Sequence, residues 1–281
     1  MKFGVREICD VVFKANQAIT IGKTSFVKGQ PVLYIDTAKT STIEGAATTV
    51  YAQGGKGNSR LIAWEGEKTL TFTVEDALLS PVGFAILSGA GLINNDSTSV
   101  KVHCTATALV DDQGIVELED DIALNAPVFV ATLENGSLGT MLTDVTIEGK
   151  SLGGMASYSG KTVFVDYYIE KTGVTELVID AENFAGYYYV EASTLFRRES
   201  DGKDLPAEIV FPRVKIQSNF TFSMASSGDP STFTFTMDAF PAYTMFDKTK
   251  KVLCAMQIVN DTVVNGGEVT ENDSSDSTAL A

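Results

Sequence analysis

The stretch from Asn219 to Met237 reads NFTFSMASSGDPSTFTFTM and carries the clearest fold signal in the chain. Phe and Met alternate with Thr and Ser in both halves of the stretch, and this period of two is typical of a β-strand with one apolar face. The turn-forming residues SSGDP at 226–230 separate the halves. The stretch therefore predicts an antiparallel hairpin with one apolar face and one polar, uncharged face of Thr and Ser.

Similar alternation appears on the N-terminal side of this hairpin. The segments 186–198 and 207–216 form a second predicted hairpin around Asp201-Gly202, a pair that favours tight turns. Pro212 interrupts the return strand, which indicates a sheet edge or a bulge. Residues 69–74 alternate in the same way, so the pattern predicts a mainly β fold.

One helical region is predicted between Thr73 and Gly89. Thr73 can cap a helix whose first turn carries two acidic residues, and Ser80 can cap a second short helix that begins at Pro81. Gly89 provides a stop signal for that helix.

The segment from Asp36 to Arg60 is long and poor in large apolar side chains. A connection of this length inside a compact domain is usually functional or disordered. Its sequence GGKGN at 54–58 lacks the glycine spacing of a dinucleotide site, and no helix follows it. We therefore predict a flexible loop that orders against a partner.

The composition of the chain changes between residues 98 and 159. This region contains short strand patterns and an acidic cluster at 111–121. We interpret 98–159 as an inserted β-rich region that divides a core made of 1–97 and 160–260. Residues 261–281 are acidic, rich in Ser and Thr, and lack Lys and Arg. Their composition predicts a flexible acidic tail.

The composition excludes several classes of function. The chain has 281 residues with 21 Lys and Arg against 36 Asp and Glu, a formal charge of −15, which argues against a nucleic-acid binder. Its single histidine, His103, excludes most catalytic triads and most His-based metal sites. Cys9, Cys104 and Cys254 form no disulfide framework, which favours a reducing compartment. We expect no membrane span, because the uncharged stretch 77–95 is interrupted by Gly, Pro and Ser.

Candidate chemical motifs fail on spacing. Gly-Lys-Ser/Thr triplets occur at 22–24, 149–151 and 160–162, but none has the preceding glycine that a phosphate loop requires. The acidic cluster at 111–121 lacks the ligand spacing of a calcium loop. The sequence therefore predicts a protein that is not an enzyme, with no catalytic residue, no cofactor and no metal.

Four segments together resemble a known family. They are LYIDTAKTS at 33–41, QGGKGNSRLIAW at 53–64, the strand and helix at 69–89, and the hairpin at 219–240. In this order the chain resembles a tail tube (major tail) protein of a tailed bacteriophage. The resemblance covers roughly half of the chain and does not extend to the insertion 98–159.

The resemblance implies a tail-tube-type β-sandwich or barrel with one flanking α-helix. Six copies would form a ring, and stacked rings would form a tube whose lumen DNA crosses at ejection without specific binding. Strands of neighbouring subunits would join into one barrel. The protein would be part of the virion, assembled in the host cytoplasm, with tail sheath, baseplate and tail terminator proteins as further partners. Type VI secretion tube proteins share this fold and are the nearest structural alternative.

The same resemblance places two sets of site residues. Thr221, Thr234 and Thr236 are expected to face the lumen. The expected inter-ring loop comprises Lys39, Gly54, Gly55, Lys56, Gly57 and Arg60.

Two other classes of function stay open at this stage. A surface β module that binds carbohydrate or a receptor on the virion is suggested by the insertion and by the aromatic run Tyr187–Tyr189, since aromatic rings can stack on sugars. A β-rich hydrolase is disfavoured, because no acid and nucleophile can be paired.

Overall fold

A computed structural model describes residues 2–89, 91–95, 98–179, 181–221, 223–224, 226–227 and 231–259. The described residues form twenty β-strands, one α-helix and one short 3-10 helix, which confirms the predicted mainly β fold. They divide into two compact units. Unit 1 comprises the described residues of Met1–Ile19, Phe26–Leu79 and Ala185–Ala281, and unit 2 comprises those of Thr20–Ser25 and Ser80–Phe184. The predicted tail 261–281 lies outside the described residues.

The strands of unit 1 are β1 (Phe3–Val5), β2 (Asp10–Ala15), β5 (Pro31–Ile35), β6 (Ala38–Gly54), β7 (Ser59–Asp76), β17 (Tyr187–Arg198), β18 (Asp204–Ile216), β19 (Phe233–Ala239) and β20 (Ala255–Ile258). Unit 2 contains α1 (Pro81–Ser88), β8 (Gly91–Asn95), β9 (Val100–Leu109), β10 (Val116–Glu117), β11 (Phe129–Glu134), β12 (Ser137–Leu142), β13 (Thr146–Glu148), β14 (Ser151–Gly153), the 3-10 helix Ala156–Tyr158, β15 (Thr162–Lys171) and β16 (Val174–Val178). A short ribbon pairs β3 (Ile19–Ile21) with β4 (Thr24–Phe26).

Unit 1 is built on a nine-stranded antiparallel sheet in the order β5-β2-β17-β18-β19-β7-β6, with β1 paired to β17 and β20 to β18. One face of this sheet is apolar. Phe13, Phe72, Phe211, Phe235 and Met237 on that face are each no more than 1% exposed. The alternation in the sequence therefore reports which side chains enter the core of unit 1.

The sheet is strongly curved around this core. The ring centroids of Phe13 on β2 and Phe235 on β19 lie 5.9 Å apart, although β17 and β18 separate the two strands. Adjacent strands are about 4.8 Å apart, so a flat sheet would place these positions about 14 Å apart. The rings of Phe72 and Phe211, two strands apart, stack at 4.8 Å. Curling of the sheet brings these rings together.

The second predicted hairpin is confirmed. Strands β17 and β18 pair antiparallel from Tyr187↔Lys215 to Arg197↔Asp204, and Gly202 in the turn has a φ of 68°. Pro212 falls where the β17–β18 register shifts. On the other side of β18, residues 207–210 pair with β20 and residues 214–216 pair with β19. Pro212 lies between these two parts, so the absence of its backbone N–H interrupts no described ladder.

The helix prediction is confirmed in one half and wrong in the other. Ser80 caps α1, its Oγ accepting a hydrogen bond from the Gly83 amide at 2.9 Å, and Gly89 ends the helix with a left-handed φ of 72°. No helix starts at Thr73. Residues 59–76 form β7, which pairs on both sides, and these two ladders outweigh a local capping signal.

Among the described residues of the hairpin predicted at 219–237, only the second half forms a strand. β19 is a strand with Phe233, Phe235 and Met237 buried, but residues 219–221 and 223–224 are not in a strand. β19 pairs instead with β18 and β7, and its last bond to the β18 side runs from the Gln217 amide to the Thr236 carbonyl. Phe222, one of the alternating apolar residues of the predicted hairpin, lies outside the described residues.

Unit 2 contains a β-sandwich with its own core. A four-stranded sheet, β12-β11-β15-β9, and a three-stranded sheet, β10-β14-β13, share one apolar cluster that includes Val116, Leu152, Val163, Val165 and Tyr167. β8 and β16 pair with each other, with Gly91 opposite Val178. The insertion expected at 98–159 lies within this unit, and β15 extends its sheet to Lys171.

Candidate assembly surfaces

The segment predicted as a flexible loop is a long β-hairpin. β6 and β7 pair antiparallel from Ala38↔Asp76 to Gly54↔Ser59, so the prediction of a loop from Asp36 to Arg60 is wrong. Backbone hydrogen bonds between the strands need no large apolar side chains, and Thr, Val, Ile and Tyr in this segment favour strands. The low content of large apolar residues in 36–60 therefore indicates that the segment is exposed; it does not indicate that the segment lacks regular structure.

All six residues of the expected inter-ring loop lie on this hairpin. Lys39 is near its base, Gly54 ends β6, and Arg60 lies in β7. Gly55, Lys56 and Gly57 form the turn, in which Gly55 has a φ of 79° and Gly57 a φ of 87°. These left-handed conformations favour glycine because it lacks a Cβ atom. The hairpin thus presents the predicted residues at its base and its tip.

Most of the hairpin is exposed on both faces. We call residues 42–69 the arm; every described residue in 42–51 and 55–69 is exposed. Val50 lies opposite Trp64, and Ile62 follows on the same face opposite Ala52. These three side chains, which we call the apolar stripe, are 64%, 53% and 56% exposed for Val50, Trp64 and Ile62 respectively. A two-stranded ribbon is marginally stable alone, and its long edge invites pairing.

The nine-stranded sheet ends in two strands that each have one hydrogen-bonded neighbour among the described residues. β6 pairs only with β7, and β5 pairs only with β2. Each therefore presents a free row of backbone donors and acceptors. Open edges of this kind are covered or paired in stable proteins.

The three threonines expected in the lumen lie together. Thr221, Thr234 and Thr236 line one groove of about 360 Å³ with Asn219, Phe220, Ser223, Ser231 and Thr232. Thr221 and Thr234 are exposed and Thr236 is half-buried, while the alternate residues of β19 enter the core. The groove is lined almost entirely by uncharged polar side chains, as the sequence pattern predicts.

Glu75 is a carboxylate beside this groove. It accepts hydrogen bonds from the hydroxyls of Thr232 and Thr40. These two bonds stabilise the ionised form and lower the pKa of Glu75. Further along β19, Asp238 accepts bonds from Gln217 and Thr71. The acidic groups on this face of the sheet are thereby held by neighbouring polar side chains.

The paired arginines Arg197 and Arg198 bind within the chain. Arg197 makes two hydrogen bonds to the carboxylate of Asp204, and Arg198 makes two to that of Asp201. Both guanidinium groups therefore have acidic partners without a neighbouring subunit.

The aromatic run Tyr187–Tyr189 does not form an exposed platform. Tyr188 and Tyr189 are 5% and 6% exposed. Tyr187 is half-buried and packs edge-on against Phe240, with the guanidinium carbon of Arg213 4.2 Å from its ring centre. These rings contribute to packing, so the run gives no support to sugar binding.

Charge is unevenly distributed along the chain. Residues 80–184 contain 15 Asp and Glu but only four Lys and no Arg, and residues 261–281 contain five acidic residues and no basic one. The remaining residues contain 16 acidic and 17 basic side chains. The chain's negative charge therefore resides mainly in two segments, and the remainder is close to neutral.

The described part of the chain contains neither a candidate metal cluster nor a membrane-spanning helix. No group of three or more His, Cys, Asp and Glu side chains there could hold a metal ion. No helix there is long and apolar enough to cross a membrane.

Most of the chain is similar to a known protein family. Residues 20–253 match the YomU/Tube protein family, whereas no curated protein matches the chain. The match spans most of unit 1 and all of unit 2, including the hairpin and the groove. The family indicates a phage-related, tube-like structural protein, a component of a virion. On this match, the chain belongs to the YomU/Tube protein family.

Proposed function

We propose that the protein is the subunit of a phage tail tube, in which six copies form a ring and rings stack around a lumen through which DNA is ejected. The protein would have no catalytic activity, would assemble in the host cytoplasm, and would meet tail sheath, baseplate and tail terminator proteins. The observation that carries this proposal is the arm, whose two faces are exposed in the described part of the subunit.

The arm supplies the contact between rings in this proposal. Its apolar stripe would be covered by an adjacent ring. Full burial of side chains of this size contributes about 1.5–3 kcal/mol each, which suffices to hold a ribbon that is marginal alone. Lys39, Lys56 and Arg60 would meet acidic groups at the rim, where salt screens such contacts.

The free edges of the curved sheet supply the contact within a ring. Pairing of the β5 edge of one copy with the β6 edge of the next would satisfy both rows of backbone groups and close a barrel around the lumen. The near-neutral charge outside 80–184 and 261–281 supports such association, because it limits repulsion between copies.

The groove of Thr221, Thr234 and Thr236 would face the lumen. Its uncharged hydroxyls and nearby Glu75 and Asp238 offer no cationic partner to phosphate, so DNA would pass without being held. This assignment follows from the chemistry of the surface and is independent of the inter-ring contact.

Electron microscopy of the purified full chain tests the proposal. Six-fold rings or hollow tubes of uniform diameter are expected at high protein concentration. Particles that remain monomeric at all concentrations and in the presence of purified tail partners would exclude it.

A second candidate function is favoured by one face of unit 2. Phe129, 54% exposed, lies opposite Asp166 in the four-stranded sheet, and Asp166 Oδ1 lies 2.9 Å from His103 Nε2. Tyr168 is on the same face beside His103, with ring centroids 5.4 Å apart. Aromatic rings beside hydrogen-bonding groups suit a saccharide. Calorimetry with host cell-wall saccharides, comparing the wild type with Phe129→Ala, tests this candidate; no binding by the wild type would exclude it.

A further inference from the structure

A cluster of lysines lies in a part of unit 1 that the proposed tube does not use. Lys28 and Lys248 line a cavity of about 430 Å³ together with Tyr189, Tyr243 and Met245. Lys251 Nζ lies 5.6 Å from the centre of the Tyr243 ring, and Lys250 is its exposed neighbour in sequence. We call Lys28, Lys248, Lys250 and Lys251 the lysine patch.

The lysine patch is held by local structure. Residues 243–251 form a loop closed at its base by two backbone hydrogen bonds between Ala242 and Val252, of 3.1 and 2.9 Å. Asp247 is the acidic residue of this loop, and its carboxylate accepts hydrogen bonds from the amide and hydroxyl of Thr249. These bonds lower the pKa of Asp247. The loop therefore presents its lysines from a defined position and keeps its own carboxylate occupied.

The four lysines lack an acidic partner within the described residues. None of them forms an ion pair there, whereas Lys14 pairs with Glu191 and Lys171 with Asp120. Two of these lysines, Lys28 and Lys248, line the cavity, and Lys251 contacts the Tyr243 ring that also lines it. Such a group of unpaired lysines stands out in a chain with a formal charge of −15. Charge complementarity therefore calls for an acidic occupant.

We propose that the lysine patch is a binding site for an acidic peptide segment, and that its occupant is the segment 261–281 of the same copy. This segment contains Asp261, Glu268, Glu271, Asp273 and Asp276, and no Lys or Arg. Residues 80–184 are also acidic, but their carboxylates are interspersed with lysines and are partly engaged, as Asp120 is with Lys171.

Connectivity favours the segment of the same copy. The patch residue Lys251 and the last described residue, Val259, are eight positions apart in the chain, so the contour between them is at most about 29 Å. Residues 260–271 alone span up to about 40 Å when extended, enough to return to the patch. A tethered occupant acts at an effective concentration of about millimolar, which no second copy reaches at ordinary protein concentrations.

Zero-length carbodiimide crosslinking of the full chain, followed by mass spectrometry, tests the proposal. A mixture of unlabelled and ¹⁵N-labelled protein is used, so that links within and between copies differ in mass. In low salt, links are expected from Lys248 or Lys251 to the carboxylates of 261–281, carried within one isotopic form. They should be lost in about 1 M salt, where the screening length is about 3 Å.

Lysine acetylation rates provide a second measurement on the full chain. The patch lysines should react several-fold more slowly than the exposed Lys68, Lys161 and Lys203, and the difference should disappear in the variant Glu268→Gln, Glu271→Gln, Asp273→Asn, Asp276→Asn. The control variant Glu117→Gln, Glu119→Gln, Asp112→Asn, Asp121→Asn removes the same charge and should leave the difference intact.

Three results would overturn the proposal. Links from the patch to residues 111–121 of another copy would assign it to an interface between copies. Links to 261–281 in mixed isotopic form would refute docking within one copy. Equal acetylation rates at patch and control lysines would show that no acidic segment occupies the patch.

Discussion

The guanidinium carbon of Arg60 lies 4.1 Å from the ring centre of Tyr51, across the two strands of the arm. A cation over an aromatic face contributes about 0.5–1 kcal/mol at an exposed site. Arg60, predicted as an inter-ring contact, therefore also braces the tip of its own hairpin. The contact lies on the ribbon face opposite the apolar stripe, which leaves that stripe available.

Replacement of Arg60 by Ala should loosen the tip of the arm in the monomer. Loss of the contact with Tyr51 should raise amide hydrogen-exchange rates at 50–54 and 59–63 by roughly two- to five-fold, the equivalent of about 0.5–1 kcal/mol. Exchange near Phe72 should stay unchanged, since that part of β7 is in the core. Mass-spectrometric exchange on wild type and variant checks this, and full exchange of the arm within seconds in the wild type would contradict the hairpin.

Polar replacement of the apolar stripe should abolish tubes without unfolding the subunit. In Val50→Thr, Ile62→Thr, Trp64→Ser, each exposed substitution should change the free energy of unfolding by no more than about 0.5 kcal/mol. Electron microscopy should show no tubes, and urea unfolding should show the wild-type midpoint. The control Leu109→Thr, Leu124→Thr, Leu138→Thr alters leucines that are 63%, 77% and 61% exposed in unit 2 and should still form tubes.

Lysines in the hydroxyl-lined groove should convert a passive surface into one that holds DNA. Thr221→Lys, Thr234→Lys and Thr236→Lys together add three cations that can contact phosphates. Assembled variant tubes should retain labelled DNA in low salt and release it as salt increases, whereas wild-type tubes should not retain it. Tubes of the variant that behave as the wild type would place the groove outside the lumen.

Alkaline pH should destabilise the protein through Tyr188. Burial raises the pKa of Tyr188 to about 12, whereas a phenol in an unfolded chain ionises near 10. Between about pH 10 and pH 12 the native state keeps the phenol proton of Tyr188, whereas the unfolded state releases it. The stability that protonated Tyr188 contributes is therefore complete below about pH 10 and is lost as the pH rises toward about 12. The shift corresponds to at most about 2.7 kcal/mol.

The variant Tyr188→Phe isolates this effect. The free energy of unfolding is measured in urea at pH 9 and at pH 11.5. Between these two pH values it should fall by about 2 kcal/mol less in the variant than in the wild type. Burial also raises the pKa of Cys254 to about 11, and that contribution is common to both proteins. Tyr243→Phe, at a ring position that is 46% exposed, serves as the control, and an equal fall in all three proteins would refute the assignment.

The sandwich of unit 2 should fold by itself. The buried residues of its apolar cluster lie between Val110 and Ile169, and β9 and β15, at the two ends of the sandwich, pair along their whole length. A fragment of residues 98–172 should therefore unfold cooperatively in urea and show β-type circular dichroism. A variant with Leu152→Ala should lose about 2–5 kcal/mol, because Leu152 is fully buried. A fragment without a cooperative transition would show that the sandwich depends on the rest of the chain.

Local signals in the sequence located the elements that depend on local geometry. Ser80, Pro81 and Gly89 bound α1 because caps and φ preferences act within one turn of a helix. Asp201-Gly202 marked the β17–β18 turn for the same kind of reason. Alternation on β19 identified Phe233, Phe235 and Met237 as core residues, since a strand with one apolar face can bury only that face.

The inter-strand partners could not be read in the same way. The same alternation runs through residues 219–224, yet the described residues among them form no strand, whereas β19 does because β18 and β7 lie beside it. The arm shows the converse: its apolar content is low, yet the ladder of backbone bonds between β6 and β7 runs through it. The lysine patch likewise depends on the approach of Lys28 to Lys248, which are far apart in the chain.

The sequence by itself determined the mainly β class, the caps of the helix, the turn at Gly202 and the division of β19 into an apolar and a hydroxyl face. Only the tertiary structure decided that residues 38–76 form a hairpin, that Thr221 joins Thr234 and Thr236 in one groove, and that the apolar stripe is exposed. The physical reason is that turns and caps are satisfied within a few residues, whereas a strand exists only where a distant segment accepts its hydrogen bonds.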